Sequence, residues 1–225
     1  MKIAVYTANI GNYRNEFSLS RMNSIVFSDK IDYYFFSDFK VTGCKWKTYQ
    51  VPLQKQYSFM DAKRTTNKFL KFCLPPELSD YDYVIWCDTK GSSLSMINNI
   101  NYESVVSLIE REQKQVYLLK HPQRSSPLQE IDKTIRKNYE NKTHALTFKK
   151  KIQNIKFCSH LPDLTTFIRK TDEVTNKVFS DVYDEMIINQ LRRDQNIFQY
   201  VLHKHNYEST LYYFINGSDV KNKIS

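Results

Sequence analysis

Glycine is scarce in this sequence. The 225 residues include only 4 glycines, where average usage of about 7 % would supply roughly 15. Gly11, Gly43, Gly91 and Gly217 stand too far apart to write G-x-G-x-x-G or a P-loop. The Gly-rich phosphate cradles of dinucleotide-binding and Walker folds are therefore excluded, and any phosphate must be met by basic side chains or a metal. Cysteine is equally sparse: Cys44, Cys73, Cys87 and Cys158 show no C-x-x-C spacing, which argues against zinc ribbons and disulfide frameworks. No apolar run approaches the ~18 residues of a membrane-spanning helix. The N-terminal MKIAVYTANI has no long apolar stretch followed by a small-residue cleavage site. The expectation is a soluble, cytoplasmic protein.

What is present fits a folded chain. Apolar residues make up 41 % and charged residues 25 %, close to the ordinary globular mix, and the length allows one large domain or two small ones. The 33 Lys and Arg against 24 Asp and Glu leave a net charge of +9, a sign that favours an anionic partner such as a nucleotide, a nucleic acid or an anionic membrane. A composition rich in Lys, Asn, Ile and Tyr and poor in Ala arises as readily from nucleotide bias, so the sign alone decides little.

Residues 3 to 8 (IAVYTA), 32 to 36 (DYYFF) and 45 to 51 (KWKTYQV) read as strands, the first delivering a polar loop that contains Gly11. From Ser58 to Cys73 the period becomes helical, giving a basic amphipathic helix stopped by Pro75-Pro76. Tyr81 to Cys87 (YDYVIWC) is apolar almost throughout, as a strand covered on both faces should be. Beyond it the pattern predicts a helix around 102–112, a strand at 115–119, helices over 128–148 and 152–158, a strand at 164–169, helices over 172–191 and 195–204, and a last short strand at 211–215. Alternating strands and helices indicate an α/β fold with a mostly parallel central sheet flanked by helices, which binds ligands beyond the carboxyl ends of its strands. That rim carries residues 7 to 14, Asp38 and Asp88.

Asp88 follows the buried strand directly, where its carboxylate could serve a hard cation or merely accept turn N–H bonds. Arg64, Asn67 and Lys68 stand at i, i+3 and i+4 and so share a helix face, either toward a ligand or toward solvent. Asp194 in RRDQ is a good N-cap for the helix after it.

The ordered segments KIAVYTANIGNY, DYYFFSD, AKRTTNKFLKF, YDYVIWCD, LLKHPQR, FIRKT and RRDQNIFQYVL, covering residues 2 to 204, resemble a family of small glycosyltransferases with the GT-A fold from plants, bacteria and large algal viruses. The resemblance implies a single GT-A-like domain whose first half, about 1–95, holds a nucleoside-diphosphate sugar, most often a UDP-sugar, and whose second half, about 96–225, shapes the site for a glycan acceptor. It implies Mn²⁺ or Mg²⁺ on an Asp-x-Asp motif. Asp88 matches the first position, but the third is Lys90, which cannot ligate a metal while protonated and can instead neutralise diphosphate charge. Either a late histidine, His205 or His203, completes the metal set with Asp88, or the site works without metal. The resemblance further assigns Thr7, Ala8, Asn9 and Gly11 to the nucleotide pocket and Asp38 to uracil or ribose. It turns Arg64, Asn67 and Lys68 toward the diphosphate and sets Arg124 of His121-Pro-Gln-Arg124 near the sugar or acceptor, with Glu130 matching an acidic position of the same segment. Asp194 would orient the donor sugar or act as base, with Arg192 and Arg193 screening phosphates. A nucleic-acid-binding module is the rival reading, given 16 Tyr and 14 Phe, but no nucleic-acid motif is present. A degenerate transferase that only binds nucleotide is a third, supported by Asp-Thr-Lys.

Overall fold

A computed structural model describes residues 1–12, 15–98, 101–157 and 160–214; Arg14, Cys158, Ile215 and Gly217 lie outside them. Seven strands, β1 (Ile3–Asn9), β2 (Ile31–Ser37), β3 (Lys47–Gln50), β4 (Tyr83–Cys87), β5 (Val116–Lys120), β6 (Pro162–Lys170) and β7 (Leu211–Phe214), form one sheet in the order β3-β2-β1-β4-β6-β5-β7. Four of its six pairings are parallel; β6 runs antiparallel to both neighbours, β4 and β5. The sheet is thus mostly parallel, as the alternation of elements predicts.

Period-2 alternation sorts the strand residues onto two cores. Ala4, Tyr6 and Ala8 of β1, with Phe36, Val84 and Trp86, meet α2 (Ala62–Phe72), α5 (Pro127–Arg136), α6 (Lys142–Ile152), α7 (Glu173–Ile188) and α8 (Phe198–Lys204). Ile3 and Val5, with Phe35, Ile85 and Cys87, face α1 (Leu19–Asn23), α3 (Gly91–Ile97) and α4 (Tyr102–Glu112). Both faces are covered, which is why β1 and β4 read as continuous apolar runs. Among the described residues no helix is long and apolar enough to cross a membrane.

Two predicted helices are corrected. The stretch 128–148 breaks into α5 and α6 because Asn138 takes a left-handed φ of +54° and Tyr139 N–H closes on the Thr134 carbonyl, after which Asn141 caps a new helix. Of the predicted helix 152–158, Ile152 is the last residue of α6 and 153–157 are not helical: Ile155 N–H bonds Ile152 O in a tight turn, so the i to i−4 ladder stops.

Chain order places β2 and β4 on opposite sides of β1. Successive connections therefore leave β1 in opposite directions, opening a crevice beyond the carboxyl ends of β1 and β4. The two ends are tied there by Asn9 Nδ2 donating to Thr89 Oγ1 at 3.2 Å.

Candidate active site

A cavity of about 400 Å³ opens at that crevice, floored by the ends of β1 and β4 and walled by α2 and by residues 192–195. Helix α2 begins at Asp61, whose Oδ1 accepts the Arg64 N–H at 2.9 Å as an N-cap. Its periodicity then turns Lys63, Arg64, Asn67, Lys68 and Lys71 to the cavity while Leu70 and Phe72 enter the core. Asn67 Nδ2 also donates to the Ala8 carbonyl at 3.2 Å, joining helix to strand.

Asp194 sits opposite α2. It opens a 3₁₀ turn, Asp194–Asn196, that precedes α8, and its side chain does not cap the helix. The carboxylate is instead given to two lysines: Oδ2 lies 2.9 Å from Lys68 Nζ and 2.7 Å from Lys71 Nζ. All three side chains are largely buried, with 8 %, 16 % and 5 % of their surface exposed. Burial by itself would raise the Asp194 pKa, but the two ammonium groups outweigh it and hold the carboxyl well below its usual range. Burial pushes Lys68 down to about 8, with Asp194 only partly offsetting it. Lys71, equally desolvated but facing Asp194 and Asp88 together, ends above its ordinary value. A carboxylate with so low a proton affinity is a poor general base; orienting ammonium groups or hydroxyls is the chemistry it can do.

The segment carrying Asp194 is held by Glu140, a residue the sequence reading misses. Its carboxylate accepts the Arg192 N–H at 2.9 Å, the Arg193 N–H at 2.7 Å and Asn196 Nδ2 at 3.1 Å. Burial raises the Glu140 pKa despite these donors. Nothing in the local pattern of residues 138–142 signals this, since the partners lie some fifty residues on. Lys71 is also missed, although it stands i+3 from Lys68 on the predicted face.

Most of the residues expected at the site do converge. Ala8, Asn9, Arg64, Asn67, Lys68, Asp88, Lys90, Arg192, Arg193 and Asp194 line the cavity. Asp88 Oδ1 accepts the Trp86 indole N–H at 3.0 Å and lies 3.9 Å from Lys71 Nζ. Buried Asn9 keeps Oδ1 without a hydrogen-bond partner, an acceptor left over at the cavity. Thr7 is fully buried within β1, and Asp38 stands behind the loop, where its Oδ1 accepts the Gly11 N–H at 2.6 Å; neither lines the cavity. Gly11 itself has φ +67°, and a Cβ there would fall 2.3 Å from Lys63 Cδ. Gly11→Ala is expected to cost about 1–2 kcal/mol of stability through the left-handed backbone and to push Lys63 off the cavity wall, which urea unfolding and nucleotide titration of the variant would check.

Other expected residues lie elsewhere. Arg124 is not among the cavity-lining residues: its guanidinium is sequestered by the buried Glu130 carboxylate and by His121 Nε2. His205 ends α8, where its Nε2 meets Asp181 Oδ2 at 2.8 Å, and His203 is near Glu208 at 3.8 Å. The expected metal set of Asp88 and His205 is thus not assembled. A divalent cation wants several hard oxygen ligands, yet Lys71 Nζ stands 2.7 Å from Asp194 Oδ2 and 3.9 Å from Asp88 Oδ1, and Lys90 lines the same cavity. Among the described residues no group of three His, Cys, Asp or Glu could hold a metal. The donor set does not fit a divalent cation.

No family model and no curated protein matches the sequence. Among solved structures, core-mannan synthase A of Aspergillus fumigatus in its Mn/GDP form superposes with a TM-score of 0.51 at 13 % identity, over 95 % of this chain and 73 % of that one. The galactosyltransferase LgtC in complex with donor and acceptor sugar analogs gives 0.46 at 9 % identity, over 93 % and 72 %. TarS of S. aureus gives 0.45 at 9 %, over 100 % of this chain and 63 % of that one. At these identities the likeness is one of architecture: the chain is an α/β domain of GT-A-like fold, with its cavity at the crevice beyond β1 and β4.

Proposed function

We propose that this protein is a glycosyltransferase that takes a nucleoside-diphosphate sugar, foremost a UDP-sugar, and passes the sugar to a hydroxyl of a glycan acceptor. The observation that carries the reading is the cavity of a GT-A-like fold lined by seven cationic side chains, Lys63, Arg64, Lys68, Lys71, Lys90, Arg192 and Arg193, against three acidic ones, Glu16, Asp88 and Asp194. Such a surplus matches a diphosphate, and its place beside the free Asn9 acceptor at the end of β1 suits a base or ribose donor. The first half of the chain supplies most of the donor side, and residues 138–139 and 192–195 face it from the second half. In the reaction, cations around the diphosphate stabilise the charge that develops as the sugar leaves, and Asp194 orients the ammonium groups rather than removing a proton. Tyr6, Trp86, Phe72 and Phe179 are buried in the core and so are not placed to stack nucleic-acid bases.

The test is ligand-dependent melting. UDP at about a hundred times its Kd should stabilise the fold by about 2.7 kcal/mol, roughly 5–10 °C in a domain of this size. Release of UDP from a panel of UDP-sugars should follow. If UDP, GDP and their sugars all leave the melting temperature unmoved, the reading is wrong.

A further inference from the structure

We propose that lysine ammonium groups take the place of a divalent cation in this site, with Lys71 and Lys68 of α2 and Lys90 after β4 neutralising the diphosphate of the donor. The inference rests on the nucleotide-sugar reading above and says how that site would work. Three observations converge on it. The position where an Asp-x-Asp motif would carry its second carboxylate is Lys90, whose side chain lines the cavity. Lys71 Nζ lies 2.7 Å from Asp194 Oδ2 and 3.9 Å from Asp88 Oδ1, so an ammonium already bridges the two carboxylates that a cation would need. Lys68 Nζ reaches the same Asp194 oxygen at 2.9 Å, adding a second positive charge beside that space. A divalent ion entering there would lose its carboxylates to the lysines and be repelled by them.

The chemistry balances without a metal. The bond between the anomeric carbon and the β-phosphoryl oxygen breaks with its electron pair moving to that oxygen. The acceptor oxygen bonds the anomeric carbon, and its proton passes to water. The nucleoside diphosphate gains one negative charge at the leaving oxygen, which the ammonium groups lining the cavity would stabilise. Asp194 keeps Lys71 and Lys68 in position, and Trp86 keeps Asp88 beside them through the 3.0 Å indole hydrogen bond.

The experiment is calorimetric titration of the full chain with UDP, and UDP release from UDP-sugars, each in EDTA and in millimolar Mn²⁺. The expected result is a Kd that agrees within about twofold between the two conditions, with turnover equally indifferent. Lys90 is half-buried and its side chain caps nothing, so its variants should keep the wild-type melting temperature. Lys90→Ala should weaken UDP about tenfold in both conditions, the scale of one charge-assisted hydrogen bond, and Lys90→Arg should restore most of the loss. A tenfold or greater loss of wild-type UDP affinity in EDTA, recovered with Mn²⁺, overturns the lysine inference and leaves the donor reading standing. Unchanged affinity in Lys90→Ala also overturns it. Absence of UDP binding in both conditions overturns the donor reading itself and the inference with it.

Discussion

Asp194→Ala is expected to lower the free energy of unfolding by about 3–5 kcal/mol, the cost of leaving a buried charge without its partner, and the melting temperature by roughly 10 °C. Two ammonium groups pair with this carboxylate, Lys71 with 5 % and Lys68 with 16 % of the side chain exposed; solvent screens them little, and among the described residues only Lys71 has a second carboxylate near, Asp88 at 3.9 Å. Desolvation without the counter-charge would deprotonate one of them, most readily Lys68, which burial already presses down. Asp194→Asn retains the volume and one acceptor but not the charge, so it should lose nearly as much; a loss confined to Ala would mean that packing, not charge, matters there. The comparison is Lys149→Ala, which breaks the Lys149–Asp132 pair whose side chains are 33 % and 50 % exposed and should leave melting unmoved. Urea unfolding of the three variants, read by midpoint and slope, decides the point.

UDP affinity should be flat from pH 7 to just below 8 and then fall, by about tenfold at pH 9 relative to pH 7, as Lys68 loses its proton near pH 8. Lys71, raised above its ordinary value by Asp194 and Asp88, stays charged through this window and preserves a residual affinity. Stability moves the opposite way. Lys68 binds its proton less tightly in the folded state than its ordinary 10.5, so between pH 8 and 9 the unfolded chain holds more protons and stability rises with pH. The slope is at most about 1.4 kcal/mol per pH unit. Above pH 9 the thiols of half-buried Cys73 and buried Cys87 reverse it, because desolvation raises both and the unfolded chain releases those protons first. Buried tyrosines such as Tyr6 and Tyr117 add to the reversal above pH 10. Calorimetry and urea melts on one pH series should show affinity falling while stability climbs. Parallel decline of both from pH 8 would remove Lys68 from the ligand site.

What the sequence by itself determined is the part governed by local chemistry. The apolar runs of β1 and β4 announce strands covered on both faces, and Asp88 at the end of one of them, with Asn9 at the end of the other, falls on the rim where a parallel sheet binds ligands. The helical period of 62–72 places Arg64, Asn67 and Lys68 on one face, and all three line the cavity. The same period carries Lys71 there, though a lysine near the end of an amphipathic helix reads equally as solvated. Only the tertiary structure decided where the charges pair. The carboxylate of Asp194 looks like a helix cap in its own segment, and the fold brings it against lysines more than a hundred residues earlier. Glu140 organises the Arg192–Asn196 turn across some fifty residues, and Glu130 draws Arg124 away from the cavity that its motif suggests. His205 meets Asp181 because α7 and α8 pack together, not because of anything in its own neighbourhood. Periodicity and turn chemistry act over a few residues and are written in sequence. Coulombic pairing in a desolvated cleft acts through space, and its partners are chosen by strand order and helix packing.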